Sequence, residues 1–253
     1  MPESVLAQAI LFAAVFLVAM LYSSVGHGGA SGYLAVLALF SVLPRIAGTS
    51  ALVLNILVAG IAWITFWKGG HFSWPLVLPF LVGSIPAAYF GGLLRSPEPL
   101  LYILLAVVLA VAALRMVLPF KQESGISTKG HPPLFSSVGI GAGLGLVSGM
   151  IGIGGGIFLS PIMILRGWAP LRTAAGVSAF FIVINSFAGL AGRGTNELIY
   201  AIPFAPLVGF AFAGGALGSW LGSKKFSMKG LRYLLALVLL IAAVKVLVME
   251  MSR

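Results

Sequence analysis

The chain has 253 residues, of which 60% are apolar and only 8% charged, and its mean hydropathy is +1.12. No soluble fold of this length hides so much hydrocarbon, so a soluble enzyme or carrier is excluded and a membrane protein is expected. The formal charge of +10 does not point to nucleic acid, because the 15 basic residues are spread over short connections instead of forming one face, and the absence of cysteine excludes disulfides and thiolate metal sites.

The first apolar run follows Met1-Pro2-Glu3-Ser4, with no basic leader and no small-residue cleavage pattern, and reads as a retained span. Ten segments then follow in order: 5–22, 31–43, 47–67, 74–94, 99–118, 134–150, 156–166, 173–192, 198–222 and 229–249. Crossing about 30 Å of hydrocarbon takes about 20 helical residues, so the second and seventh segments are too short. Each follows a Gly-rich break, Ser24-Val25-Gly26-His27-Gly28-Gly29 or Met150-Ile151-Gly152-Ile153-Gly154-Gly155. Half-helices or re-entrant hairpins, sheltered inside protein, are expected there.

The two breaks stand 126 residues apart, and the likeness continues beyond them. Pro44-Arg45-Ile46-Ala47-Gly48-Thr49-Ser50-Ala51 resembles Leu171-Arg172-Thr173-Ala174-Ala175-Gly176-Val177-Ser178-Ala179 with one residue inserted, Gly83 to Gly91 resembles Gly214 to Gly222, and Leu100-Leu101-Tyr102 resembles Leu231-Arg232-Tyr233. The fold expected is an all-α polytopic membrane protein of about ten segments in two five-segment repeats, residues 1–120 and 134–253, joined by a polar loop at 121–133. Five segments per half is an odd number, so the copies are inverted. With the N-terminus outside, the inner connections hold ten basic residues (Lys68, Arg115, Lys121, Lys129, Arg166, Arg172, Lys224, Lys225, Lys229, Arg232) and the outer ones five (Arg45, Arg95, Arg193, Lys245, Arg253), which places both termini outside.

Glycine at a break frees the backbone to leave the helix and leaves amide N–H groups uncovered. A helix restarting there turns its positive end to whatever lies in the gap, and an anion is the natural guest. The candidate binding residues are therefore Ser24, Gly26, His27, Gly28, Gly29 and Ser31 in the first half and Gly152, Gly154, Gly155 and Gly156 in the second. Thr49, Ser50 and Asn55, with Ser178 and Asn185, add hydroxyls and amides near the starts of the third and eighth segments; interhelical bonding is the competing role. Arg45 and Arg172, just before those segments on opposite faces, suit anion attraction at each mouth or simple anchoring in the interface. GxxxG spacing at Gly141/Gly145/Gly149 and Gly214/Gly218/Gly222 reads as close helix packing.

All five acids, Glu3, Glu98, Glu123, Glu197 and Glu250, fall at termini or connections, and aspartate is absent. Cation transport is disfavoured, and His27 is the one ionisable side chain inside a break. Gly29-Ala30-Ser31-Gly32 matches the GxSG of rhomboid proteases, but no histidine follows residue 131 to act as base, so no enzymatic activity is expected. No cofactor or metal site is expected either.

The paired order of Gly-rich break, basic residue and A-x-G-x-S resembles the TauE/SafE family of sulfite and organosulfonate exporters, also called TSUP permeases. The resemblance is closest in Gly149-Met150-Ile151-Gly152-Ile153-Gly154-Gly155-Gly156-Ile157-Phe158-Leu159-Ser160-Pro161 and Arg172-Thr173-Ala174-Ala175-Gly176-Val177-Ser178. It implies export of small sulfur-containing anions across the bacterial inner membrane. The partners expected are that anion and the lipid bilayer, with room for a homodimer; a scaffold without substrate and a carrier of another small solute are the alternatives.

Overall fold

The computed structural model describes residues 4–24, 26–94, 96–117, 132–223 and 229–251. The connecting loop, apart from its last two residues, lies outside the described residues, as do Arg95, Lys121, Lys129, Lys224, Lys225 and Arg253 of the charge count. Among the described residues all regular structure is helical: α1 (Val5–Ser23), α2 (Ala30–Leu39), α3 (Pro44–Lys68), α4 (Trp74–Leu93), α5 (Glu98–Val117), α6 (Leu134–Ile151), α7 (Gly156–Leu165), α8 (Leu171–Arg193), α9 (Thr195–Ala201), α10 (Leu207–Ser223) and α11 (Lys229–Met251). Five of these, α1, α3, α4, α6 and α8, are long and apolar enough to cross a membrane alone. The chain is a multi-pass membrane protein.

One expected segment is not a single helix. The run 198–222 breaks into α9, a 3-10 turn at Ile202–Phe204 and α10, with a bend of 71°. Pro203 and Pro206 explain it, since each removes a backbone donor and its ring collides with the preceding turn. Glu197 sits in the first turn of α9, where a carboxylate favours the positive helix end.

The first short segment is an interior element, and the second is partly so. α2 has ten residues, about 15 Å, and all but its last are buried. Gly32 packs on Val18 and the Ser31 hydroxyl bonds Tyr22, so α2 doubles back along α1. The helix itself is surrounded by protein and hardly exposed to lipid.

Glycine stripes set the closest helix contacts. Gly141, Gly145 and Gly149 of α6 lie against the carbonyls of Phe80, Ser84 and Ala88 in α4, and Gly214 and Gly218 of α10 lie against those of Phe16 and Met20 in α1. Residue numbers rise together in both pairs, which therefore run parallel. α3 and α8 run antiparallel: Gly48 near the start of α3 meets Arg193 at the end of α8, while Gly176 near the start of α8 meets Phe66 in the last turn of α3 and His71 beyond it. α5 packs along α11.

A Cβ at Gly145 would stand 2.7 Å from the Cα of Ser84, whereas one at Gly143, on the same helix, would meet nothing within 4 Å. Gly145→Ala is expected to part α4 from α6 at a cost of about 1–3 kcal/mol. Gly143→Ala should be neutral or slightly stabilising, because alanine restricts the unfolded chain more than glycine does. Melting temperatures of the two purified variants check the contrast.

Candidate functional site

Both breaks are built from left-handed glycines. Gly26 and Gly29 have φ of 78° and 96° in the first; Gly152, Gly154 and Gly155 have 95°, 72° and 74° in the second. These values favour glycine because a Cβ would crowd the following carbonyl. Gly29 precedes α2 and Gly155 precedes α7, and neither restart has a side-chain cap. The first N–H groups of both helices are left for another partner.

The breaks cross over between the halves. Gly26 packs on Ala175 of α8, where a Cβ would lie 2.5 Å from the Ala175 Cβ, and Gly152 packs on the backbone of Gly48 in α3. They then converge on one side chain. A Cβ at Gly28 would strike the Asn55 Oδ1, and one at Gly154 would lie 2.8 Å from the Asn55 Nδ2. Asn55 is 0% exposed, and neither end of its amide has a hydrogen-bond partner. Burying such an unpaired group costs on the order of 1–3 kcal/mol, which argues for a ligand that completes it. One buried carboxamide thus stands between two uncapped helix starts, each contributed by a different half of the chain.

Other expected residues are placed differently. The Ser24 hydroxyl donates back to the Leu21 carbonyl at 2.7 Å, and Ser31 shares a 2.6 Å bond with Tyr22. Thr49 donates to the Arg45 carbonyl, Ser178 accepts from Ser160 at 2.7 Å, and Asn185 donates to the Phe181 carbonyl at 2.8 Å. The Ser178 bond joins α7 to α8, the interhelical role that competed with binding in the sequence, and the Ser31 bond joins α1 to α2, whereas Ser24, Thr49 and Asn185 donate back to their own helices. The Ser50 hydroxyl and the Asn185 Oδ1 are buried with no partner. His27 is half-buried, its backbone N–H donating to the Tyr22 carbonyl at 2.9 Å. Gly156 packs on Ile182.

At the starts of α3 and α8, Arg45 forms an ion pair with Glu197 and lines a cavity of about 370 Å³ together with Glu98, while Arg172 is exposed. The far end of α3 is covered by aromatic rings: Trp63 stacks on Trp67 at 5.4 Å, and Phe180 touches Trp63, Phe72 and Trp74 at 4.7 to 5.5 Å.

Two residues had no place in the sequence reading of the site. Arg193, counted there as a loop charge, is 7% exposed and spends its whole guanidinium on backbone and hydroxyl acceptors. Nε and Nη2 donate to Gly149 at 3.3 and 3.0 Å, Nη2 to Met150 at 2.9 Å, and Nη1 to the Arg45 carbonyl at 2.9 Å and the Thr49 hydroxyl at 2.8 Å. It caps the negative end of α6 just before the second break and ties it to the start of α3. The second is Tyr33, fully buried, whose hydroxyl has no partner and lies 2.9 Å from where a Cβ of Gly29 would stand. A tyrosine inside an apolar run carries no signal of its own.

The chain is similar to known membrane proteins. A probable membrane transporter protein, y4hK, of Sinorhizobium fredii is 35% identical over 238 residues, covering 92% of this chain and 96% of that protein. A probable membrane transporter protein of Haemophilus influenzae is 32% identical over 124 residues, covering 49% of this chain and 44% of its own. No solved structure matches. The family model described as sulfite exporter TauE/SafE matches residues 11–246, and the chain, with its paired glycine breaks, belongs to that family of membrane transporters.

Proposed function

We propose that this protein is a secondary transporter, working as an exporter, of small sulfur-containing anions such as sulfite or organosulfonates in a bacterial inner membrane. The observation that carries the reading is Asn55, unpartnered and fully buried between the uncapped starts of α2 and α7. Two positive helix ends and a carboxamide N–H form a cradle for an oxyanion. Gly28, Gly29, Gly154, Gly155 and Gly156 supply the backbone, and the buried, unpartnered Ser50 hydroxyl is a further candidate donor. No catalytic step is assigned.

Alternating access follows from inverted halves, 1–120 and 134–253, linked by 121–133 and with both termini outside. Helix pairing supports this. Exchanging the halves turns the α1/α10 pair into α6/α4 and returns α3/α8 and α5/α11 to themselves. The ends of α3 then act as gates around the cradle: Arg45 with Glu197 on the outer side, the Trp63 ring cluster on the inner.

A panel of anions at constant ionic strength tests the reading through the melting temperature of the purified protein. A ligand at a hundred times its Kd stabilises by about 2.7 kcal/mol, which raises the melting temperature of a chain this long by several degrees. Selective stabilisation by sulfite or a sulfonate over chloride is expected. A flat response would favour a scaffold in which the glycines serve packing alone.

A further inference from the structure

α3 and α8 meet along two stripes that their contacts define. On α8 the stripe runs through Ile182, Ser186, Gly189 and Arg193, and on α3 through Gly48, Leu52, Asn55 and Ala59, in steps of three or four residues that bring side chains onto one helix face. Gly48 meets Arg193, a Cβ at Gly189 would lie 3.4 Å from the Leu52 Cδ1, and Ala59 shares a buried cluster with Ile182. Because the helices are antiparallel, the member of α3 between Leu52 and Ala59 stands level with the member of α8 between Gly189 and Ile182. These are Asn55 and Ser186. Both are 0% exposed, and neither the carboxamide nor the Ser186 hydroxyl has a hydrogen-bond partner, so they do not bond each other. The second break adjoins the same place: a Cβ at Gly154 would lie 2.7 Å from Ile182, one turn from Ser186, and 2.8 Å from the Asn55 Nδ2. Orphaned polar atoms are costly in a membrane interior, and a group seated between the helices would satisfy both.

We propose that Ser186 is a further solute-binding residue, its hydroxyl donating to the anion beside Asn55. The proposal rests on the anion-transport reading and adds a residue to that site. Asn55 belongs to the first half and Ser186 to the second. In the register that aligns Gly48 with Gly176, Asn55 corresponds to Val183 and Ser186 to Val58, so neither half carries the pair alone. A solute held by both residues bridges the two halves, and a hydroxyl can turn to follow it as they move. The competing role is a hydroxyl joined to Asn55 through an ordered water, which would stabilise the empty protein.

The test measures dissociation constants of sulfite and methanesulfonate from the ligand-dependent melting temperature of the full-length protein, wild type, Ser186→Ala, Ser186→Cys and Ser84→Ala. Ser84 is the control: its hydroxyl is equally buried and unpartnered, but it sits on α4 against Gly145 of α6. Ser186→Ala should weaken binding about tenfold, the factor for a hydrogen bond to a charged group, with the ligand-free melting temperature unchanged or raised. Ser186→Cys, similar in size and a weaker donor, should lose affinity in the same direction and decides the matter if the alanine variant does not fold. Ser84→Ala should bind as wild type does. Unchanged affinity in the Ser186 variants, a lowered ligand-free melting temperature in Ser186→Ala, or an equal loss of affinity in Ser84→Ala would each overturn the role of Ser186 and leave anion transport standing. No stabilisation of wild type by either probe would overturn both readings.

Discussion

Gly154→Val is expected to abolish transport while the protein still inserts into the membrane. Gly154 has φ of 72°, a region that a β-branched residue adopts only under strain of about 1–2 kcal/mol. The new side chain would also start 2.7 Å from an Ile182 methyl and 2.8 Å from the Asn55 Nδ2, so it would fill the space between the two breaks and push the carboxamide away. Gly155→Val, with φ of 74° and the Phe181 ring 3.0 Å away, should act in the same way. Solute flux into proteoliposomes, normalised to inserted protein, should fall by about a hundredfold or more, since the loss of several hydrogen bonds to a charged solute at 1.5–3 kcal/mol each exceeds that factor. Gly60→Ala is the control, because a Cβ there meets nothing within 4 Å. Ordinary flux in both valine variants would remove the cradle from the mechanism.

The second large effect is on stability. Arg193→Gln would leave carbonyls of Gly149, Met150 and Arg45 and the Thr49 hydroxyl competing for a much shorter side chain with two donors. Breaking a buried charged network of this kind typically costs about 3–5 kcal/mol, which corresponds to a fall of roughly 10 °C in melting temperature for a chain of this length. Arg193→Lys should recover little of it. An ammonium presents three donors from one point and does not reproduce the fork that spans α6 and α3. Flux should fall as well, since the second break loses its anchor to α3. A melting temperature unchanged in both variants would show that the carbonyls find other partners.

Helix positions were legible wherever an apolar run was bounded by glycine or proline. The segments 134–150 and 156–166 correspond to Leu134–Ile151 and Gly156–Leu165, because left-handed glycines separate them and nothing else can continue there. The bend after α9 was equally visible in Pro203 and Pro206, but a hydropathy window averages over two prolines. Side-chain roles were less legible. Asn55 and Asn185 look equivalent in the sequence, yet Asn55 lies between the breaks and Asn185 bonds its own helix, a difference decided by how α3 and α8 cross. Arg193 could not be read at all. A basic residue at the end of an apolar run usually faces the lipid headgroups, and only the approach of α6 and α3 turns this one inward.

The exchange of partners between halves has a consequence for how the protein is made. Ser23 at the end of α1 donates to the carbonyl of Gly215, 192 residues further along, and the stripe on α10 that fits α1 leaves the ribosome long after α1 does. The α4/α6 pair, by contrast, is complete by mid-chain. Contacts so distant in sequence close late, and until then α1 must stay in the bilayer with its fitted face against lipid. The α1/α10 contact and the approach of both breaks to Asn55 therefore form only when the early and the late helices are both present.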